Sequence, residues 1–455
     1  MGLMEKKYSI DMTNGNLYKQ ILLFALPLMA SSVLQLLFNA ADVVVVGKFA
    51  GDTSLAAVSS TSSLVGLVVN SFIGLTGGTN VVLARYIGSK DVDKSQEVVH
   101  TSITLGLIIG AFLILASIFV VKPALAMMGS PADVIDLSAL YLKIYFFGAP
   151  ANLVYNFGAA GLRAKGDTKR PLYFLTVAGI TNVLLNLLLV IVFRLDVAGV
   201  AIATIASQYI SAVLVMYCLI NEDEYLRFDY HKLGIKIDSL KSIMSIGVPS
   251  MFQSIAFSLS NVVIQSTVNS FGSTVMAGNG AAASVEGFSW AVMNGFVQAA
   301  QTFNSQNLGA RKLSRINQTM RVCMIYVIIA GLISGIGGWY FGPFFLRIYT
   351  DSPDVVAAGM IRLTYFLKPY VIFGMQDVVA GASRGLGSSF APMVCSLLFT
   401  CVLRIFWVKV PFKYNPTLDY LYWSYPLSWI FTLIFQVLIY IIAYRRIVKK
   451  FETQE

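Results

Sequence analysis

The sequence predicts an all-α polytopic membrane protein of about twelve transmembrane helices, arranged as two six-helix bundles. Three observations lead there. Of 455 residues, 56% are hydrophobic and only 12% are charged, too few charges to cover a water-facing surface of that size. The hydrophobic residues gather into runs of the ~20 residues that cross a hydrocarbon core. The second half of the chain then repeats the first.

Taken in order, the first run, 17–46, is too long for the apolar region of a signal peptide and is expected to stay as a span. It contains Pro27 and, near its far end, Asp42. Further cores fall at 54–83, 98–121, 137–160, 171–193 and 198–220, then at 243–268, 276–303, 320–345, 357–383, 391–410 and 421–444. Lipid offers the backbone no hydrogen-bond partners, so each run must be a helix. The longest connection, 221–241, reads NEDEYLRFDYHKLGIKIDSLK and is highly charged. It divides the chain into an N-lobe (1–220), a linker (221–241) and a C-lobe (242–455).

Basic residues alternate between loops. One set carries Lys6, Lys7 and Lys19, then Arg85, Lys90 and Lys94, then Arg163, Lys165, Lys169 and Arg170, with further clusters at Arg227–Lys241, Arg311–Arg321, Arg384 and Arg445–Lys450. The opposite set has only Lys48, Lys122, Arg194, Arg347, Lys409 and Lys413. The positive-inside rule then places both termini and the linker in the cytoplasm of a multi-pass cell-membrane protein, which requires an even number of spans. The formal charge of +10 is therefore a topology signal, and no basic face interleaved with aromatics points to nucleic acid.

The halves align when Pro27 is set on Pro249. Asn39 then falls on Asn261, Phe49 on Phe271, Gly88 on Gly309, Pro131 on Pro353, Arg163 on Arg384, Gly166 on Gly387 and Pro171 on Pro392, within one residue of a constant offset. An even number of spans per half makes the repeats parallel, related by a pseudo-two-fold along the membrane normal with a cavity between them. That architecture suits alternating access. Asp42 falls opposite Ile264, so the scaffold is duplicated and the charge is not.

An enzyme is not expected, nor a cofactor. His100 and His231 are far apart and near loops, where they are expected to be solvated or interfacial. The four cysteines, Cys218, Cys323, Cys395 and Cys401, lie in apolar runs without metal-ligand spacing and read as packing residues. A channel lacks a filter-like loop. Intramembrane acids mark function by default, and here they are Asp42, Glu286 and Asp377. Asp42 lies ~8 Å below the outer end of its helix, Asn186 ~12 Å and Thr204 ~9 Å, so three polar side chains on three helices share one depth. Asn182 and Asn186 are four apart and face the same way. Such oxygens suit sodium, or a carboxyl group that takes up a proton; the plainer alternatives are interhelical hydrogen bonding and a snorkelling carboxylate. Glu286, ~16 Å down, is expected to face the cavity as a substrate or proton contact, the alternative being an ion pair with Lys143, Arg362, Lys368 or Arg404. Asp377 is a further candidate of the same kind. Pro27 is a candidate hinge, because its ring removes a backbone hydrogen bond.

The two-times-six repeat, the prolines of the first and seventh spans, QNLGAR after the eighth, LRAKGDTKRP after the fourth and NVLLN in the fifth resemble the multidrug and toxic compound extrusion (MATE) transporters, over about residues 15–445. The resemblance implies a proton- or sodium-coupled antiporter that exports amphipathic organic cations and drugs by alternating access. Expected partners are those small molecules and the lipid bilayer, the chain acting as a monomer. Many members hold a cation in the N-lobe with a first-helix aspartate, a fifth-helix asparagine or aspartate and a sixth-helix threonine. Those positions match Asp42, Asn182, Asn186 and Thr204, which would also be the sodium site. The seventh-helix acid of some bacterial members is absent from MFQSIAFSLSN, and the tenth-helix acid of the family lies one turn from Asp377. The alternative within the same superfamily is a flippase for lipids or lipid-linked oligosaccharides, whose cavities carry arginines where this chain carries acids.

Overall fold

The apolar runs become helices throughout the residues that the computed structural model describes, 8–127, 134–222 and 224–453. In chain order they are α1 (Leu17–Phe49), α2 (Asp52–Gly88), α3 (Val92–Met127), α4 (Ile135–Phe147), α5 (Ala149–Lys165), α6 (Lys169–Asn186) and α7 (Asp196–Ile220). The second half holds α8 (Ile237–Asn269), α9 (Ser273–Gly309), α10 (Leu313–Tyr340), α11 (Gly342–Arg347), α12 (Pro353–Leu367), α13 (Tyr370–Gly385), α14 (Phe390–Ser396), α15 (Leu403–Lys409), α16 (Leu418–Tyr422) and α17 (Ser424–Glu452). Two π-helical stretches, Leu187–Val192 and Leu397–Val402, continue α6 and join α14 to α15.

Among the described residues, nine helices are long and apolar enough to cross a membrane, or eleven when each of two bent pairs counts as one span. The 37-residue α9, polar over its second half, completes the twelve. The spans expected as continuous at 137–160 and 357–383 are instead bent, by 47° between α4 and α5 and by 45° between α12 and α13. Pro150 and Pro369 stand at these breaks. Proline has no N–H to give the preceding turn and its ring clashes with it, so the helix restarts in a new direction.

The repeat is visible in the backbone. Three pairs of left-handed residues, Gly51 with Gly272, Lys90 with Arg311 and Gly166 with Gly387, stand in the register that sets Pro171 on Pro392. Gly166 terminates α5 with a φ of 98°, the usual way to turn a chain out of a helix without steric cost. Pro131, expected opposite Pro353, lies outside the described residues, as do Lys6 and Lys7.

Contacts divide the chain into two compact units whose borders are not those of the two repeats. One comprises Ala30–Met244 together with the chain up to Ile10; the other comprises Asp11–Met29 and Ser245–Glu455. Local chemistry explains both exchanges. In the second unit, Arg315 donates to the carbonyls of Met12, Asn14 and Gly15 at 2.9–3.0 Å, and Lys312 donates to that of Thr13 at 2.8 Å. The segment leading into α1 is therefore held at the start of α10. In the first unit, the N–H of Asp229 donates to His100 Nε2 at 3.0 Å, while the N–H groups of Gly234 and Lys236 donate to Thr104 and Thr101. The linker is thus held on α3. His100 is 5% exposed and stacks on Phe228, so it is a buried pin for the linker and not the solvated histidine expected from its position.

A buried charge cluster closes the ends of α5 and α7. Glu222 accepts from Lys165 Nζ at 2.7 Å and from Arg170 at 2.6 Å, and Arg170 also bonds Asp167. Burial pushes the Glu222 carboxyl up, and Lys165 and Arg170 more than offset it, so that it ends below the ordinary carboxylate range. A lowered folded-state value gives stability that is complete above the unfolded value of about 4.3 and is lost as pH falls through the folded one. Thermal unfolding in detergent is therefore expected to weaken on acidification below about pH 4.3. Glu222→Gln should start lower at neutral pH and show a smaller acid-dependent drop. Equal pH profiles for the two proteins would refute the assignment.

Candidate functional site

In the first unit, Gly179 on α6 lacks the Cβ that would collide with the Phe38 ring on α1, so the two helices approach closely. One turn beyond Phe38 stands Asp42; two turns beyond Gly179 stands Asn186. The close approach makes them meet. Asn186 Nδ2 donates to Asp42 Oδ1 at 2.5 Å and to Asn182 Oδ1 at 3.3 Å. Asn186 is fully buried, Asn182 is 5% exposed and Asp42 is half-buried. The π-helical stretch begins immediately after Asn186, and such turns concentrate at functional positions.

Asn186 Oδ1 is buried and has no hydrogen-bond partner among the described residues. An unsatisfied buried carbonyl costs ~1–3 kcal/mol. Turning the amide over would aim that oxygen at Asp42 and at Asn182 Oδ1. Three oxygens would then converge and repel one another, unless a cation sat among them or the carboxyl carried a proton. The donor set is thus one carboxylate with amide oxygens, hard and carrying a single charge, which fits a monovalent cation. Among the described residues no group of three His, Cys, Asp or Glu side chains could hold a metal ion.

Thr204 is not hydrogen-bonded to this cluster among the described residues. Its hydroxyl donates to the Val200 carbonyl of its own helix at 2.9 Å, a common habit of threonine within helices, and only its lone pairs remain available. Sequence reasoning placed its depth and could not place its hydrogen bond. It also passed over Tyr141, a buried residue of α4 that stacks on Tyr145 with ring centroids 6.2 Å apart. The signal was present: Ser138, Tyr141 and Tyr145 recur at helical spacing on one face.

In the second unit, Glu286 does not stand alone as the cavity-facing acid expected. Arg362 takes both of its carboxylate oxygens, Nε to Oε1 and NH2 to Oε2, each at 2.7 Å. Arg362 NH1 also donates to Asn279 Oδ1 at 2.5 Å; the same oxygen accepts from Tyr422, and Asn279 Nδ2 donates to Gln265. Removal of both charges from water favours such a bidentate pair over an isolated carboxylate. Asp377 is half-buried on α13, with no hydrogen bond among the described residues. The charged group nearest along its helix, Arg384, is bonded to Gln253 and Gln301. Pro27 lies inside a continuous α1, two residues before the border at Met29–Ala30 where this helix passes from one unit to the other.

The family model MatE matches residues 27–188 and again 249–408. "Probable multidrug resistance protein YpnP" of Bacillus subtilis is 30% identical over 396 residues, covering 87% of this chain and 88% of that one. The "FAD transporter" of Shewanella oneidensis is 26% identical, covering 80% and 81%. Among solved structures, a MOP superfamily transporter from Pyrococcus furiosus superposes with a TM-score of 0.85 at 20% identity, over 96% of this chain and 97% of that one. A MATE transporter of Vibrio cholerae gives 0.86 at 20% identity, over 95% and 97%.

Proposed function

This chain belongs to the MatE family, and on that premise we propose that it is an antiporter that exports amphipathic organic cations in exchange for a proton or sodium ion bound at Asp42, Asn182 and Asn186. The observation that carries the reading is the pairing of Asp42 with Asn186, whose own amide oxygen has no partner. With the site empty, the amide N–H groups satisfy the carboxylate and the Asn182 oxygen. With a cation or proton present, the amide reverses and contributes its oxygen. The two states differ by a side-chain rotation in a packed interface between α1 and α6, so ion binding changes what α1 rests against. Pro27 is where α1 would absorb that change, since the ring leaves one backbone carbonyl without its helical partner. Thr204 adds an oxygen from α7, and Asp377 a second carboxylate that a substrate or proton could reach. Glu286, held by Arg362, acts in substrate or proton contact only after that pair opens.

The distribution of basic loops supports cytoplasmic termini, hence outward export. The test is transport of a fluorescent lipophilic cation in proteoliposomes of the purified protein, with proton and sodium gradients imposed separately. One gradient should drive accumulation against the concentration difference. Accumulation that ignores both, or gradient-independent scrambling of labelled lipid, would replace this reading with a channel or a flippase.

A further inference from the structure

The structure assigns an anion site to the second unit, around Arg404, on the segment that the internal repeat relates to the α6 segment carrying Asn182 and Asn186. Two contacts establish the correspondence. Phe38 rests on Gly179 in the first unit, and Ser260, its counterpart, donates to the carbonyl of Thr400, the counterpart of Gly179, at 2.8 Å in the second. In the same register Ile264 stands for Asp42, Leu403 and Arg404 for Asn182 and Val183, and Tyr425 for Thr204. Asp42 thus has an apolar counterpart, and the second unit instead carries a guanidinium, one residue beyond the counterpart of Asn182.

Arg404 is 1% exposed. Its Nε donates to Ser428 Oγ at 2.9 Å, and that hydroxyl donates onward to the Tyr425 carbonyl at 2.8 Å. Both terminal nitrogens, NH1 and NH2, are buried without a hydrogen-bond partner among the described residues. The guanidinium carbon lies 4.3 Å from the Tyr425 ring centre and 5.8 Å from that of Phe257. Trp429, the residue after Ser428, is also fully buried, with its indole N–H unpartnered. Glu286, the acid for which the sequence offered Arg404 as a partner, is held by Arg362 instead.

Arginine stays charged in proteins, and a buried charge must be paired. Aromatic faces compensate it only in part. What the site displays is two unpartnered guanidinium nitrogens, both donors, over the Tyr425 ring, which packs in turn against Trp429 with ring centroids 6.0 Å apart. That chemistry selects a small monovalent anion: a free halide, or the carboxylate of a bound organic molecule. The inference does not depend on which cation Asp42 takes.

Thermal unfolding of the detergent-purified protein tests it, with sodium concentration and ionic strength held constant while gluconate is exchanged for bromide or for benzoate. Wild type should gain about 2–5 °C along a saturable curve. The gain should vanish in Arg404→Met and need a higher concentration in Arg404→Lys, which keeps the positive charge and loses the paired donors. A response to bromide identifies a free halide, and a response to benzoate alone identifies a carboxylate-bearing ligand. No saturable response in wild type, or the same response in Arg404→Met, overturns the site. Wild type alone decides the first point, so failure of the arginine variant to fold leaves the test intact.

Discussion

Asp42→Asn is expected to abolish coupled export while leaving the fold in place. The replacement is nearly isosteric, and its amide oxygen still accepts from Asn186 Nδ2, so the contact between α1 and α6 survives. What disappears is the negative charge and with it the ability to bind sodium or exchange a proton. Hydrogen bonds to charged groups contribute ~1.5–3 kcal/mol, so ion affinity should fall about 10- to 100-fold from that source alone, before loss of the direct ion–carboxylate attraction. Gradient-driven uptake of a lipophilic cation in proteoliposomes should drop to background. The unfolding midpoint should stay within a degree or two of wild type. Thr204→Val is the internal comparison: it removes one neutral oxygen and leaves the charge in place, so it should weaken ion affinity much less than Asp42→Asn does. Full transport by Asp42→Asn would remove the aspartate from the mechanism.

The second large effect concerns stability. Glu286 and Arg362 form a buried bidentate pair, and removing one partner leaves an uncompensated charge in a dry interior. Such single changes cost about 3–5 kcal/mol, while replacing both partners by apolar groups is often close to neutral. Arg362→Met and Glu286→Leu should each lower the unfolding midpoint and the yield of monodisperse protein in detergent. Combining Glu286→Leu with Arg362→Met should recover most of that loss, as a positive coupling energy in a double-mutant cycle. Additive losses would show that the two side chains are not paired in the protein in solution, and would return Glu286 to the candidate substrate contacts.

Much of the fold was legible because lipid removes choices. Without water the backbone must close its own hydrogen bonds, so an apolar run of sufficient length is a helix whatever its neighbours are. The repeat was legible for a related reason. Gly166 and Gly387, Pro27 and Pro249, Pro171 and Pro392 occupy positions where backbone geometry admits few residues, and they hold their spacing in both halves. The unit borders were not legible. Whether the segment before α1 rests on its own repeat or on α10 depends on where Arg315 and Lys312 find carbonyls, and no periodicity records that.

By itself the sequence determined that this is a membrane protein built twice over, with a carboxylate in one half and no counterpart in the other. It also brought Asp42, Asn186 and Thr204 to a common depth, because helical rise converts residue number into height. Azimuth and partners were left to the tertiary structure. Only the packed helices decided that Asn186 turns its N–H groups to Asp42, that Thr204 bonds its own backbone, and that Arg362 takes Glu286 while Arg404 takes no carboxylate. Height is a property of one helix; pairing is a property of two, and it is set by where small residues such as Gly179 let them approach.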